Sequence, residues 1–222
     1  MKNATRTSIL TFAAGAACTA SIALLIASGP DHKDHQHPEL TDTVTQPEMD
    51  AMMEMSAADM MAAMARLATP DEHHAKLGKN VGNWIAKTSF VMDPAAPPTE
   101  GAGTMSVKWV LGGRYIMSEF KMDFMGQPFE GIGFNGYDIA HEQYISTWAD
   151  TMSTKITMMT GSMDDNGTTT LLGTATTPMG DNPMKIVSTW TGNDTMTDKF
   201  YDKMPDGSWY SSGSITYTRV ID

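Results

Sequence analysis

Cysteine is almost absent from this chain of 222 residues, which contains only Cys18. With a single thiol, no disulfide can form within the chain and no pair of cysteines is spaced for a zinc site. Basic residues are also scarce, because 15 Lys and Arg stand against 26 Asp and Glu, for a net charge of −11. A protein that binds nucleic acid or an anionic membrane surface needs a basic face, so this balance argues against both partners.

Methionine, in contrast, is abundant, with 21 residues. Hydrophobic residues make up 41% of the chain, which is enough for one domain with a hydrophobic core. Methionine side chains adapt to irregular apolar space. The composition therefore predicts either an adaptable core or a soft lining around a ligand.

An apolar run without charged residues extends over residues 8–28, after Lys2 and Arg6. Two basic residues before such a run are typical of an export signal, and its length also suits a membrane span of about 20 residues. We assign residues 1–29 to a signal peptide or a membrane anchor, with a lipoprotein signal cleaved before Cys18 as a third alternative. All three predict an exported protein of the periplasm or cell envelope, and the anchor would attach it to the inner membrane.

Residues 30–47 are polar, contain three prolines and show no apolar periodicity, which predicts a disordered linker. The linker contains His32, His35 and His37. These are weak candidates for metal ligands, since imidazole binds copper, nickel and zinc. A solvated spacer is the favoured interpretation of so short a tract.

Residues 48–67 contain strong helix formers and neither Gly nor Pro, which predicts one Met-rich amphipathic helix. Its apolar stripe consists of Met49, Met53, Ala57, Met60, Met64 and Leu67. We expect residues 48–81 to form an N-terminal helical segment whose stripe packs on the domain that follows. The alternative is a copper site formed by these methionines and the His tract, because thioethers are soft ligands.

Residues 82–222 show β-branched and aromatic residues alternating with polar ones, with turn signals about every ten residues. This pattern predicts an all-β domain, an antiparallel meander of about ten strands that closes into a lipocalin-like barrel. The predicted strands are 83–92, 101–111, 114–124, 129–138, 142–150, 154–163, 168–176, 183–191, 195–204 and 208–220.

Alternation along these strands predicts an aromatic and Met-rich interior, and barrels of this size can enclose a small ligand. The predicted ligand-binding side chains are Phe90, Trp109, Phe120, Met122, Phe134, Trp148 and Trp190.

Five motifs carry a resemblance to a known family: "GNWIAKTSFVMDPAAPP" (82–98), "WVLGGRYIMSEF" (109–120), "GQPFEGIGFNGYD" (126–138), "YISTWADTMST" (144–154) and "ITYTR" (215–219). Over about residues 49–219 the chain resembles the bacterial family called domain of unknown function 1579. That family has no established reaction and is regarded as lipocalin-like, in the group of calycin-type barrels.

The resemblance implies a structural pair, in which Trp84 packs beneath Arg219 and closes the barrel floor. We therefore expect a ligand to enter from the opposite rim. Haem-binding relatives use a His close to the C-terminus, and this chain has no His after His141. The resemblance thus disfavours haem, and we predict no cofactor.

No catalytic residue can be assigned with assurance, but four candidates lie in the motif-bearing strands: Glu130, Arg114, Tyr137 and Asp150. If Glu130 faces inward with Ile132 and Phe134, inward carboxylates could perform acid–base chemistry. The favoured alternative is that the carboxylates pair across strands with Arg114 and Lys121.

The preferred interpretation is therefore an exported barrel that binds a small, mostly apolar molecule. An enzyme using inward carboxylates is the second hypothesis, and envelope copper binding is the third. The sequence specifies neither the ligand nor the oligomeric state.

Overall fold

The computed structural model describes residues 44–91, 97–177 and 180–221. The chain divides into two compact units, Met1–Glu54 and Met55–Asp222. The predicted signal or anchor and almost all of the predicted linker lie outside the described residues. Within the described ranges, no helix is both long and apolar enough to cross a membrane.

The prediction of one continuous helix over residues 48–67 is wrong, because two helices cover this stretch. Helix α1 spans Gln46–Glu54 in the first unit, and α2 spans Ala57–Ala68 in the second. Ser56 separates them: it has an extended backbone, and its hydroxyl accepts a hydrogen bond from the Asp59 amide at 3.1 Å. A serine in this position caps the N-terminus of a new helix, which explains the break.

Helix α2 contains no buried residue, and of the predicted stripe Met64 is 50% exposed and Leu67 is 49% exposed. The stripe that was predicted to pack on the barrel therefore lies largely at the surface of this helix. A short third helix, α3 (Glu72–Leu77), contacts the barrel through β4 and has two buried residues, His74 and Leu77.

All ten predicted strands are present, and every end lies within three residues of its predicted position. Each strand pairs antiparallel with its neighbours in sequence, and β1 also pairs with β10, so the sheet closes into a barrel. The strands are β1 (Gly82–Phe90), β2 (Thr99–Val110), β3 (Tyr115–Phe124), β4 (Gln127–Asp138), β5 (Gln143–Asp150), β6 (Thr157–Met163), β7 (Thr169–Thr177), β8 (Gly180–Trp190), β9 (Thr195–Lys203) and β10 (Trp209–Arg219).

The two ends of the barrel differ. At the end where β1 begins, α3 and a 3-10 turn, Gly78–Asn80, precede the first strand; we call this the helix end. At the opposite end, which we call the filled end, the interior holds aromatic pairs. Phe90 and Phe200 have ring centroids 5.5 Å apart, and those of Phe120 and Phe129 are 6.0 Å apart.

Glycines on β4 make room for an aromatic ring at the filled end. Gly131 and Gly133 are buried, and a Cβ at Gly133 would lie 2.9 Å from Cε3 of Trp148. Because the glycines face inward, their neighbours face outward: Ile132 is 47% exposed and Phe134 is 39% exposed. The prediction that Ile132 and Phe134 face the interior with Glu130 is therefore wrong.

Candidate ligand cavity

The interior of the barrel contains a cavity of about 580 Å³ toward the helix end. Its lining mixes apolar and polar residues, and the apolar part includes Met105, Val107, Ile116, Met163, Leu171 and Met196. At the helix end it is bounded by α3, by the turn Gly78–Asn80 and by the β6–β7 turn, residues 164–167. Small-molecule sites in proteins have volumes of about 300–1,000 Å³, so this cavity has room for a ligand.

The position of the cavity contradicts the expected direction of ligand entry. Entry was expected from the rim opposite Trp84, but the aromatic residues of that rim do not border the cavity. Trp84 and Arg219 stand at the helix end, where β1 begins and β10 ends. Access therefore lies between α3 and the β6–β7 turn, at the same end as Trp84.

Trp84 and Arg219 form the contact that the resemblance implied. The Arg219 guanidinium carbon lies 4.1 Å from the centroid of the Trp84 ring. Two further nitrogens of Arg219 donate to the carbonyls of Val81 and Lys79, each at 2.6 Å, and the Trp84 indole donates to the Asn80 carbonyl at 2.9 Å. This pair therefore anchors the 3-10 turn that bounds the cavity, in addition to any stabilisation of the barrel itself.

Trp190 connects this anchor to the cavity. Its ring lies 5.9 Å from that of Trp84, and the Lys79 ammonium lies 3.9 Å from its centroid. Trp190 also borders the cavity. A shift in the Trp84–Arg219 pair would therefore be transmitted to the cavity wall.

Asp198 is a carboxylate inside the cavity. The hydroxyls of Ser188 and Tyr217 donate hydrogen bonds to it, while its Oδ1 atom is buried and has no hydrogen-bond partner among the described residues. Burial raises the pKa of Asp198 to about 6, against the opposing effect of the two hydroxyls. Burial also raises the pKa of Tyr217, and the nearby charge of Asp198 adds to this rise.

Tyr144 supplies a second buried polar atom in the lining. Its hydroxyl has no hydrogen-bond partner in the described part of the chain. Burial raises its pKa, with smaller contributions from Tyr137, Asp71 and Glu72, so the hydroxyl stays protonated at neutral pH. The cavity thus combines apolar walls with two polar atoms that the barrel does not satisfy.

Of the seven predicted ligand-binding residues, only Trp190 borders the cavity. Phe90, Phe120, Met122 and Trp148 pack within the core but do not border it. The other two lie elsewhere: Trp109 is 39% exposed, with its ring against Gly78, and Phe134 faces outward.

Sequence reasoning missed Asp198, although a local signal was present. On β9 the residues Met196, Asp198 and Phe200 alternate with polar neighbours, so the carboxylate occupies an inward position between two apolar ones. An acidic residue at one of the alternate positions that are otherwise apolar indicates a carboxylate facing the interior.

The four catalytic candidates do not meet in one site: Arg114 and Tyr137 border a small pocket of about 70 Å³ beside α3, which neither Glu130 nor Asp150 borders. Glu130 is on the outer surface, with an exposed side chain 3.2 Å from Lys121 on the neighbouring strand, which is the cross-strand pairing that the sequence favoured. Arg114 is exposed and donates to the Leu111 carbonyl at 3.1 Å. Asp150 accepts from the Trp148 indole at 2.8 Å.

Tyr137, the fourth candidate, lies against α3. Its ring stacks on that of His73, with centroids 4.1 Å apart and planes within 6° of parallel. Burial raises the pKa of Tyr137, with further contributions from Glu142, Asp71 and Asp138. This tyrosine helps to hold the helix on the barrel, away from Glu130 and Asp150.

The histidine candidates for metal binding, His32, His35 and His37, lie outside the described residues. In the described ranges, no group of three or more His, Cys, Asp and Glu residues is placed to hold a metal ion. Several methionines of α1 and α2 are exposed, among them Met53 at 82% and Met61 at 69%. Copper binding by these segments stays a prediction.

Comparison with known proteins gives a family match. A family profile described as "Protein of unknown function (DUF1579)" matches residues 69–219, which is more than half of the chain. No protein with a curated description is significantly similar to this chain.

Among solved structures, two similar chains are an S-type phycobiliprotein lyase, CPES, from Guillardia theta, and Rv2717c from M. tuberculosis. The lyase is 12% identical with a TM-score of 0.49, over 71% of this chain and 97% of its own. Rv2717c is also 12% identical with a TM-score of 0.49, over 69% of this chain and 100% of its own. Neither likeness is close enough to transfer a function.

Proposed function

The chain belongs to the DUF1579 family of proteins of unknown function, and we propose that it binds a small, mostly apolar molecule inside its barrel. The observation that carries this proposal is the cavity of about 580 Å³ at the helix end. Small-molecule sites have volumes of about 300–1,000 Å³, and this cavity lies within that range.

The chemistry of the walls supports an apolar ligand. Methionines at positions 105, 163 and 196 border the cavity together with Ile116 and Leu171. Flexible thioether side chains adjust to ligands of different shape. Among the described residues, the cavity is bordered at the helix end by α3 and the β6–β7 turn, so a ligand would enter there.

We expect Leu171→Trp to weaken binding of the neutral apolar dye N-phenyl-1-naphthylamine by about tenfold or more. Leu171 borders the cavity and is 9% exposed, so a larger side chain there takes up ligand space. The measurement is a fluorescence titration of the full exported chain with the dye.

The matched control is Leu172→Trp, at the next position of β7, where the side chain faces outward and is 50% exposed. Its dye affinity should stay within about twofold of wild type. Equal loss of affinity in both variants, or absence of dye binding in the wild-type protein, would contradict the proposal.

We propose further that the protein works outside the cytoplasm. This rests on the apolar run over residues 8–28 behind Lys2 and Arg6, which is typical of an export signal or anchor. A fusion of residues 1–47 to a reporter that is active only after export should be active in the periplasm, and a fusion beginning at residue 30 should not. Activity of the shorter fusion would argue against this role for the segment.

A further inference from the structure

Asp198 lies midway along the interior of the barrel. On β9 its inward neighbours are Met196, toward the helix end, and Phe200, toward the filled end. The register places it opposite Ser188 of β8 and Ile215 of β10. The carboxylate therefore stands at the depth of the cavity where an apolar ligand would reach the end of the open space.

The hydrogen bonds of Asp198 are incomplete. Ser188 and Tyr217 donate to its carboxylate, but Oδ1 is buried without a partner among the described residues. Buried polar atoms are almost always hydrogen-bonded, because an unsatisfied one is costly. An ionised carboxylate can accept up to about four hydrogen bonds, so the described residues leave this one without its full set of donors.

The barrel also provides no positive charge for this carboxylate. None of the ion pairs in the described part of the chain includes Asp198. The cations that border the cavity are Lys76 and Lys79, both at the helix end. The ammonium of Lys79 is held over the Trp190 ring, and the side chain of Lys76 is exposed.

We propose that the cavity selects apolar molecules that carry a protonated amine, and that the ammonium group donates to the Asp198 carboxylate while the apolar body lies against the Met and Leu wall. This inference rests on the proposed function, since it requires the cavity to be a ligand site. An ammonium group supplies both the missing donor and the missing positive charge. A ligand with a carboxylate or phosphate at this position is rejected, because two negative charges would share a site of low dielectric.

The mouth of the cavity does not impose the same choice. Two acidic residues, Asp164 and Asp165, and two basic residues, Lys76 and Lys79, border the cavity at the helix end, so the charges there balance in number. Selection by charge is therefore expected at the buried carboxylate and not at the entrance.

The test compares three naphthalene probes of similar shape: 1-naphthylmethylamine, 1-naphthylmethanol and 1-naphthoate. Their affinities are measured at pH 7.5 by competition with N-phenyl-1-naphthylamine on the full exported chain. We expect the amine to bind at least about tenfold more tightly than the alcohol, and the naphthoate to bind least. In Asp198→Asn the preference for the amine over the alcohol should disappear.

The matched control is Asp202→Asn, which removes the same charge from the same strand at a residue that does not border the cavity. It should keep the wild-type preference for the amine. If Asp198→Asn does not fold, the wild-type protein still gives a result, since the preference for the amine should fall as the pH is lowered through about 6. Tyr217 and Tyr144, two further titratable side chains of the interior whose pKa values are raised by burial, keep their protons over this range.

The outcomes separate the two proposals. If neither the dye nor any naphthalene probe binds the wild-type protein, the proposed ligand-binding function fails. Equal affinity for amine and alcohol in wild type would overturn only the inference about Asp198, as would a preference that survives in Asp198→Asn. Equal affinity in wild type would mean that a water molecule satisfies Oδ1. A preference that survives in Asp198→Asn would mean that the acidic residues of the β6–β7 turn attract the amine.

Discussion

The Asp198→Asn variant should be more stable than the wild-type protein at pH 7.5, by on the order of 3 kcal/mol in the free energy of unfolding. Burial raises the pKa of Asp198 from its ordinary value of 3.8 to about 6, and one pKa unit corresponds to about 1.4 kcal/mol. Ionisation of this buried carboxyl therefore destabilises the folded state. An amide of the same shape keeps contacts with Ser188 and Tyr217 without carrying the charge.

The sign of the pH dependence follows from the raised pKa. Because the folded protein holds this proton more tightly than the unfolded chain does, the stabilising contribution is complete below about pH 4. It is lost as the pH rises through about 6. The difference in stability between Asp198→Asn and wild type should therefore be small at pH 4, increase between pH 4 and 6, and level off above pH 7.

Urea denaturation of both proteins in the absence of ligand, at a series of pH values, measures this difference. Asp202→Asn is again the control, because it removes the same charge from the same strand at a residue that does not border the cavity. A difference for Asp198→Asn that does not change between pH 4 and 7 would show that the carboxyl has an ordinary pKa.

A residue that destabilises the ligand-free fold is informative about function. Most buried positions accept an apolar or neutral residue. A buried charge with incomplete hydrogen bonds lowers stability, and such residues are typical of binding sites. An amine bound to Asp198 should recover part of the lost stability, because a ligand that binds only the folded state stabilises it.

Trp84→Ala should reduce the free energy of unfolding by about 3–5 kcal/mol, the range for removing a large aromatic side chain from a core. Trp84 is 1% exposed. Its ring contacts the Arg219 guanidinium at 4.1 Å and the Trp190 ring at 5.9 Å. The substitution also removes the indole donor to the Asn80 carbonyl, so the 3-10 turn at the helix end loses an attachment.

The matched control is Trp109→Ala, which removes the same side chain from a position that is 39% exposed. It should reduce stability by less than half as much as Trp84→Ala, because less apolar surface is buried there. The measurement is thermal or urea unfolding of both variants beside wild type. Similar losses for the two tryptophans would contradict the anchoring role of Trp84.

Dye binding should weaken in Trp84→Ala as well, even at temperatures where the variant is folded. Trp190 borders the cavity and rests on Trp84, so removal of the supporting ring loosens the wall. If Trp84 were remote from the ligand, its removal would lower stability without weakening binding. We expect weaker binding because the cavity lies at the same end of the barrel as Trp84.

The strands were predictable because their signals are local. Turn residues such as Gly207, with a φ of 86°, separate short alternating segments along the chain, and alternation depends only on neighbouring residues. The direction in which β4 faces was not predictable in the same way. Ile132 and Phe134 are the apolar residues, yet they face outward. Gly131 and Gly133 face inward instead, and the Trp148 side chain of the next strand packs against both glycines.

The sequence by itself determined the all-β meander, its ten strands and the position of the Trp84–Arg219 pair, since turn chemistry, alternation and family motifs all lie within short segments. Only the tertiary structure decided which end of the barrel is filled, where the cavity opens and that Asp198 stands inside it without a complete set of partners. Those properties depend on how side chains from many strands pack together in the barrel interior. Such contacts join residues far apart in the sequence, so a local sequence pattern does not predict them.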